Sequence, residues 1–255
     1  MTEGIAFSFD DVSLATLLLV ALVAYVSSVL GGLAGTGVSL LMLPMLVPLV
    51  GIKGVIPVIA VAMLLGSTSR LWVFRHSVQW PIVGRILIGA TFGVLLGVSI
   101  YDWLPADILT VLVGGFLVLS VPARRLFARS ERVIRPSPAG TTVFGFGYGI
   151  ASGTISGGGP ILVALLLGMG LRGAAVIGTK AGTSIVMHSL KTIGFGFYGL
   201  ITLELALAAI LIGVCTLPGA YTAKWMVDRM KIKLHTLIVD IAVMFGGVSL
   251  LWQLV

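Results

Sequence analysis

The chain reads as a succession of apolar runs separated by short polar segments. The runs fall at about residues 12–31, 38–50, 54–69, 83–100, 107–122, 140–153, 159–170, 173–199, 203–223 and 235–254. Stretches such as Leu14–Val29 are long, predominantly apolar and free of charge. A membrane β-barrel would alternate apolar and polar positions instead, so each run is predicted to be a helix. A helical crossing takes roughly 20 residues of a hydrocarbon core about 30 Å thick. The run at 38–50 is only about 20 Å long at 1.5 Å per residue. Some elements are therefore predicted to be short or broken. Non-helical backbone at membrane depth is tolerated only where protein buries it or where it lines a cavity.

Composition confirms the class that the pattern suggests. Apolar residues make up 58% and charged residues 10% of the 255, where soluble domains carry about 25% charged residues. The mean hydropathy is +1.16. The fold class is an all-α polytopic membrane protein. The first run follows Glu3, Asp10 and Asp11 rather than a basic stretch, so it is expected to be a retained helix and not a signal peptide. The one cysteine, Cys215, excludes an intrachain disulfide, and no Cys/His spacing suits a metal. No GxSxG, HExxH or phosphate-loop pattern and no paired catalytic carboxylates occur. We therefore expect no enzyme activity and no cofactor.

The net charge of +7 changes the picture through its placement. Twelve of the sixteen Lys and Arg residues fall in three segments, 70–85, 124–135 and 224–233. Basic segments between apolar runs face the cytoplasm, so the charge speaks for topology and not for nucleic acid. The segment at 101–107 holds only acids, Asp102 and Asp107, and is expected outside. Counting crossings between these markers places both termini outside, in the periplasm of a cell inner membrane.

The halves resemble each other. Gly31–Pro44 (GGLAGTGVSLLMLP) parallels Ser152–Leu167 (SGTISGGGPILVALLL), and Gly51–Arg70 parallels Gly170–Lys191. In this alignment the acidic 101–107 segment matches the basic 224–233 segment. The halves are therefore expected to be inverted-topology repeats of about five helical elements each, as in secondary transporters. The expected organisation is an N-terminal membrane repeat (1–123), a basic cytoplasmic linker (124–138) and a C-terminal membrane repeat (139–255).

Two features carry candidate chemistry. The first is the pair of Gly-rich breaks. Gly31, Gly32, Gly35 and Gly37, and again Gly153, Gly157, Gly158 and Gly159, permit unusual backbone dihedrals. Pro160 suits a first helical turn. A helix opened this way presents free N–H groups and a positive dipole end to an anion. Thr36, Ser39, Thr154 and Ser156 add hydroxyls beside the breaks. Close packing by small residues is the competing explanation. The second feature is a polar row within an apolar run: Lys180, Ser184, His188 and Lys191, spaced so that one helix face can collect them. Ionisable residues at membrane depth point to function. Arg70, with Ser67, Thr68 and Ser69, occupies the corresponding place in the first half. Asp240 lies within the last apolar run and is read as a structural ion-pair partner. Glu204 is read as opening a helix.

The two Gly-rich motifs resemble the paired signatures of the TauE/SafE sulfite exporter family, also called the 4-toluene sulfonate uptake permease family, and the resemblance extends over nearly the whole chain. It implies a carrier of small sulfur-containing anions such as sulfite, sulfoacetate and organosulfonates. The first motif has Thr36 and Val38 where many members have further glycines, which shifts weight to the second. The candidate substrate contacts are Gly35, Thr36, Gly37, Ser39, Arg70, Thr154, Ser156, Gly157, Gly158, Gly159, Lys180, Ser184, His188 and Lys191. Expected partners are a small anionic substrate and the lipid bilayer, with a homodimer left open. The rival readings are an anion channel, a carrier of other small organic anions, and an intramembrane enzyme or non-transporting assembly factor.

Overall fold

The computed structural model describes residues 13–34, 38–129, 136–155, 158–227, 244, 248 and 251–252. Eight α-helices are described: α1 (Leu14–Ala34), α2 (Val38–Phe74), α3 (Trp80–Trp103), α4 (Ala106–Arg129), α5 (Pro138–Ile155), α6 (Gly158–Gly168), α7 (Ala174–Phe197) and α8 (Leu203–Val227). A short 3₁₀ turn, Arg75–Ser77, joins α2 to α3. No strand occurs among the described residues. The expected last element, 235–254, and Asp240 within it lie outside that set apart from isolated positions.

Four helical segments are long and apolar enough to cross a bilayer: Leu14–Gly32, Leu41–Ser77, Trp80–Trp103 and Leu203–Met226. Their outer faces are apolar, with Leu18 and Leu22 on α1, Ile88 and Phe92 on α3, and Leu207 and Ile210 on α8 all exposed. That suits lipid rather than water. Exposed Trp72, Trp80, Trp103 and Trp225 sit near helix ends, where indole rings favour the membrane interface.

The boundaries depart from the apolar runs in two instructive places. The runs at 38–50 and 54–69 are joined into α2, which bends at Gly51 (φ 69°, ψ 167°) instead of stopping. At 37 residues α2 is too long for a single straight crossing, and the bend divides it. Gly170, between α6 and α7, also has positive φ, at 88°. Glycine accepts that region without a Cβ penalty. The second departure is α4, which runs on to Arg129 into the expected linker. Arginine is a good helix former, and basic residues suit a helix C-terminus. Glu204 does lie in the first turn of α8.

The helices contact one another in the order α1–α8–α2–α7–α3–α5, and α3 against α5 is the most extensive contact. Its cause is a matched pair of glycine faces. Gly89, Gly93 and Gly97 of α3 lie against Thr142, Phe146 and Ile150 of α5; Gly145, Gly149 and Gly153 of α5 lie against Ile86, Ala90 and Val94 of α3. A Cβ at any of these six positions would collide with a backbone carbonyl of the other helix. Backbones this close gain dispersion and Cα–H···O contacts. Thr154 adds a hydrogen bond from its Oγ1 to the Gly97 carbonyl at 3.1 Å. The α1–α8 contact is a looser version. Gly32 meets Ala223 and Gly219 meets Ser28, while the Ser28 hydroxyl donates to the Thr216 carbonyl at 2.6 Å.

The same faces predict opposite effects for two neighbouring glycines. Gly149→Leu is expected to destabilise by overpacking, at a cost of about 1–3 kcal/mol or more. Gly147 on the same helix has nothing within 4 Å of a would-be Cβ. Gly147→Ala is therefore expected to stabilise by up to about 1 kcal/mol through helix propensity. Thermal unfolding in detergent measures both, and equal effects would contradict the packing described.

Candidate functional site: a buried cation cluster

The sequence-predicted cations gather between α2 and α7. A cavity there is lined by Gly31, Ser67, Arg70, Ile177, Lys180, Ala181 and Ser184. Its volume of about 10 Å3, as the space open to the centre of a water-sized sphere, holds about one water. Lys180 and Ser184 reach it because they lie one turn apart on α7, on the face shared with Ile177 and Ala181. Arg70 reaches it from the last turns of α2. Arg70 is not part of an exposed basic loop: it is 6% exposed, and its neighbour Ser69 ties α2 to α8 by a bond to the Leu217 carbonyl at 3.0 Å. Arg75, by contrast, is exposed, donates to the Trp72 carbonyl at 2.8 Å and stacks on that indole.

Like charges act within this cluster. Arg70, Lys180 and Lys191 all act on His188 as like charges, and Arg70 acts so on Lys180. The described acids, Asp102, Asp107 and Glu204, are absent from these neighbours. Arg70 Nη1 is buried with no hydrogen-bond partner among the described residues, and so is His188 Nδ1. Arg70 Nη2 donates to the Met63 sulfur at 3.9 Å. A guanidinium ordinarily offers five donors in a fork that fits an oxyanion edge. Here the fork is buried and turned to a thioether, with no oxygen partner among the described residues. Lys191 is fully buried and donates to the Ser152 carbonyl at 3.3 Å, so it belongs to the α5–α7 contact as well as to the cluster.

The N-terminus of α6 adds to the same potential. The position of a Cβ on Gly159 lies 3.5 Å from Lys180 Cε and 3.6 Å from Nζ. A helix N-terminus carries a partial positive charge. An ammonium beside it is a like-sign arrangement that an anion between them would relieve.

The glycines play a different part from the one expected. Among the described residues positive φ occurs only at Gly51, Gly170, Gly173 and Gly199. Gly31 and Gly32 lie inside α1, Gly153 inside α5, and Gly158 and Gly159 in the first turn of α6, all without that strain. Gly32, Gly153 and Gly158 serve close approach instead. Gly153 meets the α3 backbone and Gly158 receives the Tyr148 ring. Thr154 is spent on Gly97 and does not line the cavity. Gly35, Thr36, Gly37, Ser156 and Gly157 lie outside the described residues, as does the side chain of Ser39. Two site neighbours carry no signal in the sequence. Tyr148, stacked on Phe144, lays its ring against Gly158 at the start of α6. Met63 faces Arg70 from two turns away. Both lie in apolar runs with no pattern to distinguish them. No group of His, Cys, Asp and Glu suited to a metal occurs among the described residues.

An all-helical chain with bilayer-length apolar helices is a polytopic membrane protein. The model of the sulfite exporter TauE/SafE family matches residues 19–250, and the chain belongs to that family, whose members are membrane transporters. No curated protein and no solved structure matches the chain.

One consequence concerns stability. A buried charge without a partner destabilises, and an apolar isostere is often neutral or better by 1–4 kcal/mol on the order of magnitude known for buried ion pairs. Arg70→Met is expected to raise the melting temperature in the absence of anion while removing anion-dependent stabilisation. Scanning fluorimetry with and without sulfite reads both. A lower melting point without sulfite together with retained sulfite stabilisation would contradict the site.

Proposed function

We propose that this protein is a secondary carrier that moves small sulfur-containing oxyanions, of the sulfite, sulfoacetate or organosulfonate type, across the bacterial inner membrane by alternating access. The observation that carries the proposal is the meeting of Arg70 and Lys180 at one cavity whose described lining holds no acid, with the Arg70 guanidinium lacking an oxygen partner among the described residues. Family membership supplies the sulfur-anion class. Arg70 would grip two oxygens as a fork, Lys180 and the α6 N-terminus would balance the charge, and Ser184 would donate a hydroxyl. His188 and Lys191 would set the potential from one and two turns further along α7.

The inverted-repeat organisation, with units at 1–123 and 139–255 about a basic linker at 124–138, belongs to this proposal. Two observations support it. The helix contact order α1–α8–α2–α7–α3–α5 reads the same from either end when α1 is exchanged with α5, α2 with α7 and α3 with α8. Those are the pairs that the sequence alignment matches. The bends at Gly51 and Gly170 also fall at equivalent places. The proposed orientation has 101–107 and both termini outside. The cavity has room for about one water, so a sulfite-sized anion needs the helices to part. That favours a carrier passing through an occluded state over an open channel.

In proteoliposomes, sulfite uptake is expected to saturate with concentration and to fall at least tenfold, about 1.4 kcal/mol, in Lys180→Ala. Uptake that rises linearly without saturation would indicate a channel. Full activity in Lys180→Ala would remove this cavity from the mechanism.

A further inference from the structure

A second constellation lies at the far end of α2 and α7, and neither the anion site nor the helix packing accounts for it. Just past the bend at Gly51, Lys53 sends its ammonium to the last turn of α3. Its Nζ donates to the carbonyls of Tyr101 at 3.1 Å and Asp102 at 2.9 Å. Helix C-terminal carbonyls favour a cation. Tyr101 returns the contact, because its hydroxyl donates to the Ile52 carbonyl at 2.7 Å. The Lys53 ammonium also lies 5.6 Å from the Tyr101 ring centroid. The Tyr101 ring is fully buried and meets Phe195 of α7 edge-on, with centroids 5.2 Å apart. Three helices thus meet through one tyrosine, and two of them exchange hydrogen bonds directly.

The placement matters as much as the bonding. Lys53 and Arg70 stand 17 positions apart on α2, which is about 25 Å along a helix axis. Phe195 and Lys180 are separated almost as far along α7. The cavity therefore sits toward one end of the α2–α7 pair and the Lys53–Tyr101–Phe195 group closes the other. Lys53 is only half-buried, so water can replace the carbonyls it holds. A few element-terminal residues that absorb a φ/ψ change are the usual hinges of domain closure. Gly51 sits directly beside this group in a backbone conformation that favours glycine.

We infer that Lys53, Tyr101 and Phe195 form a latch that holds α2, α3 and α7 together on the face remote from the cavity, and that the latch opens about Gly51 to admit solute from that face. This rests on the carrier reading above. Opening breaks the two bonds from Lys53 and the one from Tyr101, and lets the outer part of α2 swing away from the end of α3. The latch acts on access and not on the bound anion, which it does not touch.

The test is side-specific thiol labelling in the full chain. In a Cys215→Ala background, Ser67→Cys places a reporter in the cavity wall, and a membrane-impermeant maleimide is added from one face or the other. Lys53→Met keeps the aliphatic stem and removes the donors, and Tyr101→Phe keeps the ring and removes the hydroxyl. Each is expected to raise labelling from the latch face about tenfold, equivalent to about 1.4 kcal/mol of closed-state preference, with labelling from the other face unchanged. Lys53→Arg, which keeps a cation with donors, is expected to stay near the parent rate. Unchanged labelling in both Lys53→Met and Tyr101→Phe, with melting temperatures at the parent value, overturns the latch. An equal rise from both faces also overturns it, since that is general loosening. Sulfite added to the Ser67→Cys protein with its latch intact is expected to slow the labelling. If sulfite has no effect while Lys53→Met still opens the latch face, the carrier reading fails and the latch stands.

Discussion

The contact between α3 and α5 is the constraint on which the rest of this structure depends. In a bilayer, helices gain nothing by hiding apolar side chains from lipid, which is as apolar as they are. Association has to come from packing, and packing is densest where backbones touch. Six glycines on two facing rows make that possible, and every one of them is placed where a Cβ would strike the opposite backbone. The result is a rigid pair that joins the two halves of the chain. Because α6 begins three residues after α5 ends, this pair also fixes where the break falls and where α6 presents its N-terminus. Gly159 then lies against Lys180 by consequence.

That frame offsets an arrangement that is unfavourable on its own terms. Arg70 and Lys180 are like charges held close together at a largely enclosed cavity, and packing elsewhere has to hold them there. The α2–α8 and α2–α7 contacts do this. Gly66 lets Thr216 approach α2 beside Arg70, and Gly178 packs under the Phe74 carbonyl. The Gln79 N–H bonds to Thr179 at 3.0 Å and fixes the start of α3 against α7. The cations are thus held in place by the packing around them, and under the proposed function an anion that neutralised them would recover the free energy that they lack.

Much of this is legible in the chain itself. Apart from the runs that merge into α2 and the extension of α4, the apolar runs mark the described helices within a few residues, because membrane helices are defined by length and hydropathy more than by capping. The row at Lys180, Ser184, His188 and Lys191 marks the polar face of α7, because ionisable residues stand out against an apolar run. The α3–α5 seam is harder to see, although Gly89, Gly93 and Gly97, and Gly145, Gly149 and Gly153, recur every fourth residue. Single glycines scattered through apolar helices look like filler beside the dense Gly-Gly-Gly motif. That motif draws the expectation of special backbone dihedrals, whereas the folded chain uses its described members for close approach. Arg70 counts as a loop charge by position alone, because nothing in the sequence says that α2 continues four residues past it. Adjacency groups Thr154 with the site, but adjacency does not say which way a helical side chain faces, and it faces α3.

Equilibrium binding tests the central claim most directly. Radiolabelled sulfite titrated onto the detergent-purified protein should saturate at one ion per chain. The site should vanish when Arg70→Met and Lys180→Met are combined, and survive in Thr154→Val, whose hydroxyl is engaged by Gly97. Undiminished binding in the double variant would contradict the account, because the anion would then be held by something other than the buried cations between α2 and α7.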